Sequence, residues 1–152
     1  MKSFEFLEEK GIEFRKIELP EPPKSAQDVE RLFGCSLHQV LKTLLFIGKE
    51  APVLVVIQGD KRVDLQKLEK TTNVHNLRMA KPDEIKEITG YSIGGVCPFC
   101  LKSKVIKVLD EGVFDTEMIN VGAGDPILGV ELKSQDLKSV WDGIIADISK
   151  DL

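Results

Sequence analysis

The sequence predicts a mixed α/β fold with a central, curved β-sheet flanked by helices, on three observations. Two apolar runs, "VLKTLLFI" (40–47) and "VLVVI" (53–57), have the near-continuous hydrophobicity of strands covered on both faces. Short amphipathic segments with capping signals precede and follow them. From Lys104 onward, strand-like runs alternate with glycine-containing turns. With 152 residues, 42% hydrophobic and 30% charged, the chain can bury an ordinary core, and residues 1–152 are expected to form one domain.

The elements follow in order. Ser3 is placed as the cap of a helix through "FEFLEEK", with Gly11 ending it. "IEFRKIEL" reads as a strand, and "PEPPK" as a loop because proline brings no amide hydrogen to a ladder. Ser25 caps "AQDVERLF", whose Val29, Leu32 and Phe33 share a face, and Gly34 closes it. The two apolar strands, joined by "GKEAP", form the sheet centre. "QGDKR" is a turn and Asp64 caps "LQKLEK". An extended piece at "NLRMA" leads to a helix entered at Pro82 and left at Gly90. "KVIKVLD", "MINVG" and "ILGVEL" are strands, with turns at "DEG" and "GAGDP". Ser134 caps a last helix, and "IIADI" is a final strand.

Composition excludes several classes. The longest apolar run, "APVLVVI", is far below the ~20 residues of a membrane span, and acids interrupt the N-terminal segment where a signal peptide needs apolar residues. Three cysteines form no disulfide framework, so a cytoplasmic location is expected. A net charge of −4 argues against coating nucleic acid by overall charge, leaving only local contacts such as Lys102, Lys104 and Lys107. On a strand, 102, 104 and 106 would share a face. A solvated strand edge guarded by lysines explains the same pattern.

"GYSIGGVCPFC" (90–100) holds three glycines, a proline and two cysteines. Cys97 and Cys100 with Cys35 and His38 make four zinc ligands on paper, but about sixty residues separate the pairs, and no metal is expected. Thioredoxin-like chemistry needs the first cysteine at a helix N-terminus, whereas turn and strand follow here. Two ordinary thiols, open to a local disulfide, are the plainer reading.

Lys42 interrupts the first apolar strand. A buried ammonium must reach a rim, find a partner or await an anion. Its plain reading is a stem that snorkels to the edge. Two glycine-rich loops, "GYSIGGVCP" and "VGAGDP", stand beside strands; glycine lets a backbone approach a ligand closely, although each alone reads equally as a tight turn.

In order, "KTLLF", "VLVVIQGDKRVDL", "KPDEI", "GYSIGGVCPF" and "NVGAGDP" resemble the YbaK/prolyl-tRNA-synthetase-associated domain family, from about Ser25 to the last helix. The resemblance implies an aminoacyl-tRNA deacylase, a hydrolase of ester bonds that removes a wrong amino acid, alanine or cysteine, from proline's tRNA. It places the family's lysine on Lys42, the GxxxP loop on Gly94, Gly95, Val96, Cys97 and Pro98, and the later glycine turn on Gly122, Ala123 and Gly124. Thr43 stands where alanine-selective members have asparagine, and Cys100 where members commonly have glycine. Thr43 and these loops, with Asp125, form the expected substrate site. No cofactor is implied. The expected partner is the 3′ end of an aminoacyl-tRNA, with a synthetase as a further candidate and no membrane.

An aminoacyl ester is already activated, so placement, stabilisation of the developing oxyanion and a water or the substrate's own nucleophile suffice. Consistent with this, the chain has no GxSxG elbow and only His38 and His75 as imidazoles. Asp125 reads as a contact for the substrate's amino group or simply as a turn-former. Cys97 is a further candidate nucleophile. Two alternatives stay open: a non-catalytic module that binds an aminoacyl group, a nucleotide or a synthetase, and a CxxC thiol or zinc protein.

Overall fold

The computed structural model describes residues 2–152. Helix α1 (Lys2–Glu9) leads into strand β1 (Phe14–Glu18) and helix α2 (Ala26–Phe33). Strands β2 (Leu41–Ile47), β3 (Pro52–Gln58) and β4 (Lys61–Val63) precede helix α3 (Leu65–Thr72). The short β5 (Arg78–Met79) enters helix α4 (Pro82–Thr89), and a long loop reaches β6 (Ile106–Asp110) and a 3₁₀ turn (Glu111–Asp115). Strands β7 (Met118–Asp125) and β8 (Leu128–Lys133), helix α5 (Ser134–Val140), β9 (Ile144–Ala146) and β10 (Ser149–Asp151) complete the order.

Local chemistry accounts for most helix boundaries. The Ser25 hydroxyl accepts the Asp28 amide at the start of α2, and the Asp64 carboxylate accepts those of Gln66 and Lys67 at the start of α3. Gly34 (φ 71°) and Gly90 (φ 84°) end α2 and α4 in the left-handed region.

Two predicted caps do something else. Ser3 lies inside α1, fully buried, and donates from its hydroxyl to the Ala123 carbonyl at 2.6 Å, pinning α1 to β7. Ser134 is the first residue of α5 and donates to the Thr116 carbonyl at 2.7 Å. Both hydroxyls found a distant carbonyl, which a local pattern does not display.

The fold is mixed α/β, but its strands form three sheets rather than one. Five strands run in the order β5-β2-β3-β6-β9, three in the order β1-β8-β7, and β4 pairs with β10. The β4/β10 pair replaces part of the turn expected at "QGDKR", because β10 arrives from the far end of the chain. Residues 102–105 are loop, with β6 starting only at Ile106, so Lys102 and Lys104 do not alternate on a strand.

Strand β3 is the centre, as expected: it pairs antiparallel with β2 and parallel with β6, and Val53 to Ile57 are wholly inaccessible. Each such side chain contributes ~1.5–3 kcal/mol through burial. Strand alternation assigns Leu41, Thr43 and Leu45 to one face of β2 and Lys42, Leu44 and Phe46 to the other. The first face meets Cys97, Phe99 and Ile85; the second meets Leu68 of α3 and Val74.

Candidate functional site

The second edge of β2 is only partly used. At its start the Gln39 carbonyl accepts the Asn120 amide at 2.8 Å, bridging Val40 to β7 and joining the five- and three-stranded sheets. At its end the Leu45 carbonyl accepts the Ala80 amide at 2.9 Å beside β5. Alternate residues of a strand turn their N–H and C=O to the same edge, so the backbone groups of Thr43 face the gap between these two contacts. A cavity of about 350 Å³ opens there, at the small end of the ~300–1,000 Å³ range of ligand sites. Lys42 to Leu45 line it along the strand.

Glycine backbone forms the facing wall. Gly94 (φ 85°), Val96, Gly122 and Asp125 reach the cavity. A Cβ on Gly122 would lie 2.8 Å from the Val96 carbonyl oxygen, and one on Gly95 would lie 3.0 Å from the backbone of Asp125 and Pro126. The two glycine segments predicted separately are therefore in main-chain contact, and only glycine allows it. The second is not a turn: β7 runs on to Asp125 through a register shift between Gly122 and Asp125, and the reversal falls at Pro126 and Ile127. The Tyr91 hydroxyl closes the 91–99 loop by donating to the Phe99 carbonyl at 2.6 Å.

Four predicted residues stand behind these walls. Cys97 is wholly buried, and burial pushes its thiol up to about 12, which disfavours the thiolate a nucleophile needs. Pro98 is buried beside it. Ala123 is core and gives its carbonyl to Ser3, while Gly124 (φ 113°) shapes the strand irregularity. Asp125 reaches the cavity, yet its carboxylate accepts the Ile127 amide at 3.0 Å, the turn-forming use of such a side chain.

Two polar groups of β2 remain for a ligand. The Thr43 hydroxyl is buried at the cavity without a hydrogen-bond partner. The Lys42 ammonium lies toward the β3–β4 turn, 3.4 Å from the Gly59 carbonyl. Burial holds its pKa below the usual lysine value, and the charge of Asp60 opposes that fall. The surroundings are largely apolar: Val29 and Phe33 of α2 form one side, and the exposed Met79 and Ile93 stand at the mouth. These four, and Gly59, were missed by sequence reasoning. For α2 the signal was its amphipathic face; for Gly59 it was the "GD" between two strands.

Other candidates disperse. The three cysteines are free thiols, with Cys97 buried, Cys100 exposed and Cys35 accepting from the Asn120 side-chain amide at 3.4 Å. Among the described residues no three His, Cys, Asp or Glu side chains gather as metal ligands. No helix among them is long and apolar enough to cross a membrane. Lys107 bonds Asp142 at 2.6 Å and lies over the Trp141 ring, leaving Lys102 and Lys104 as the freer cations of that surface.

Known proteins are similar to this chain in sequence and in fold. The chain is 31% identical over 126 residues to an Enterococcus faecalis protein named "Putative Cys-tRNA(Pro)/Cys-tRNA(Cys) deacylase EbsC", covering 82% of this chain and 77% of that one. It is 33% identical over 110 residues to a proline–tRNA ligase of Pseudothermotoga lettingae, covering 71% of this chain but only 19% of the ligase. A solved structure titled "Crystal structure of a putative trans-editing enzyme for prolyl tRNA synthetase" superposes with a TM-score of 0.86 at 26% identity, covering 98% of this chain and 96% of that one. The sequence model of the family described as "Aminoacyl-tRNA editing domain" matches residues 20–140, which span α2 to α5 and with them both walls of the cavity. By that match and that fold, the chain belongs to the aminoacyl-tRNA editing domain family.

Proposed function

We propose that the protein hydrolyses the ester bond of mischarged aminoacyl-tRNA, with the aminoacyl end held in the cavity beside β2. One observation carries this reading. The open edge of β2 and the unpartnered Thr43 hydroxyl face a wall of glycine main chain across a cavity too small for a large ligand, and Lys42 of the same strand lines that cavity while its ammonium lies at the Gly59 carbonyl.

In this reading Lys42 is the catalytic residue. Its cation, partly removed from water, stabilises the charge that develops on the ester carbonyl or offsets the terminal phosphate. The Thr43 hydroxyl and strand-edge backbone hydrogen-bond the aminoacyl part. Gly94, Val96 and Gly122 confine it, while Gly95, Cys97, Pro98, Ala123 and Gly124 hold that wall from behind and Asp125 supports it through its turn. A water or the substrate's own nucleophile attacks the carbonyl; the tRNA ribose oxygen leaves with a proton. The buried Cys97 thiol takes no part.

Cysteinyl- and alanyl-tRNA of the proline acceptor are the proposed substrates. The similarity to a protein named for Cys-tRNA(Pro) and Cys-tRNA(Cys) supports the first, and the small cavity supports both. A prolyl-tRNA synthetase is the proposed protein partner, since its relatives contain a matching segment. Purified protein incubated with alanyl-, cysteinyl-, seryl- and prolyl-tRNA, with ester loss followed over time, is the test. Selective loss of the small-side-chain esters is expected. Binding without ester loss would replace this reading by that of a non-catalytic aminoacyl-tRNA module.

A further inference from the structure

The β3–β4 turn is built more tightly than a connection between two strands requires. The Gly59 amide donates to two carbonyls of the segment entering β2, those of Leu37 at 3.1 Å and Val40 at 2.9 Å. A Cβ on Gly59 would lie 2.6 Å from the Val40 oxygen and 2.8 Å from the Leu37 oxygen, both main chain. The start of β2 and the end of β3 are thus clamped backbone to backbone, and the carbonyl left free at that clamp is the one the Lys42 ammonium meets.

Side chains brace the next residue. One Asp60 carboxylate oxygen lies 3.0 Å from His38 Nδ1, and His38 Nε2 lies 3.7 Å from the Asp115 carboxylate of the 3₁₀ turn. Gln58, almost wholly buried, places its side-chain amide 3.0 Å from the same imidazole. The other cation facing these acids is Lys61, which is bound to Asp151. Asp60 is the charged group that acts on Lys42.

We propose that the Gln58–Gly59–Asp60 turn, braced by His38, positions the Lys42 ammonium for the reaction, with Gly59 and Asp60 as positioning residues. This role rests on the editing reading. The Gly59 carbonyl fixes where the ammonium ends; the Asp60 carboxylate opposes the fall that burial imposes on its pKa. Removing Asp60 leaves burial unopposed, so Lys42 loses its proton at lower pH. His38 keeps the carboxylate on the Lys42 side and acts through Asp60.

Two readouts test this. Lysines are dimethylated with carbon-13 formaldehyde and titrated by NMR in wild type and in Asp60→Asn, with the Lys42 signal assigned by its loss in Lys42→Arg. The pH profile of kcat/KM for ester hydrolysis is measured on the same proteins. Asp60→Asn is expected to lower the Lys42 titration by about half a unit to one unit, and the alkaline limb of the profile by the same amount. Gly59→Ala is expected to cut kcat about tenfold with KM little changed, as a misplaced charge would; should it fail to fold, Asp60→Asn still decides. An unchanged Lys42 titration in Asp60→Asn overturns the proposal even if the wild type hydrolyses esters. A shifted titration in a protein that hydrolyses none would keep the turn's hold on Lys42 and overturn the editing reading and the catalytic role derived from it.

Discussion

The two walls of the cavity are made of different materials. On the β2 side, the Thr43 hydroxyl and the strand-edge groups of Thr43 face the space, with Lys42 next to them in the strand; on the other, main chain packs on main chain where Gly95 meets Pro126 and Gly122 meets Val96. The first wall carries polar groups with little to satisfy them inside the fold. The second is satisfied, rigid and almost without functional side chains. The difference separates chemistry from shape: substitutions on the strand should change reaction and leave the fold, whereas substitutions at the glycines should damage the fold and the reaction through it.

The strongest break of the comparison is at Lys42. Lys42→Ala should lower deacylation about a hundredfold or more, the scale seen when one charge-stabilising donor is removed, while the thermal midpoint stays close to wild type. A variant that melts early would move Lys42 from the chemical wall to the structural one. Gly122→Ala is the converse: its methyl meets a backbone oxygen that cannot rotate away, so a loss of about 1–3 kcal/mol in denaturant unfolding is expected, with activity falling alongside.

Thr43→Val sharpens the contrast, because stability and activity should move in opposite directions. Replacing an unpartnered buried hydroxyl with a methyl of similar shape should stabilise by about 1 kcal/mol. Losing the proposed substrate hydrogen bond should weaken kcat/KM roughly threefold to tenfold. A stability loss would mean that the hydroxyl serves the fold. The smallest effect on the reaction is expected at Cys100, which has φ 57°. A non-glycine residue there costs ~1–2 kcal/mol, and glycine gives back about 0.5–1 kcal/mol through its freer unfolded chain. Cys100→Gly should therefore stabilise by up to about 1.5 kcal/mol in chemical unfolding, with deacylation unchanged.

Much of the fold is legible in the chain because local forces set it. Ser25, Asp64, Pro82 and the left-handed Gly34 and Gly90 mark helix ends through local backbone chemistry, and the apolar run at 53–57 is typical of a strand covered on both faces. Ser3, Ser134 and β10 were misread or missed for one shared reason: their partners, Ala123, Thr116 and β4, lie far along the chain.

For the site, residue types and order singled out Lys42, Thr43 and the two glycine segments. The sequence does not say which groups of those segments face the cavity. It left Cys97 open as a nucleophile until the core closed over it, and it hid the contact between Gly59 and Leu37–Val40, because a backbone clamp leaves no side chain to notice. Sequence by itself determined the elements, the strand lysine and the glycines, since capping, periodicity and steric freedom act over a few neighbouring residues. Tertiary structure alone decided that β2 keeps an open edge, that the glycine walls touch, and that the ammonium turns toward Gly59, since these depend on where distant backbones end up relative to one another.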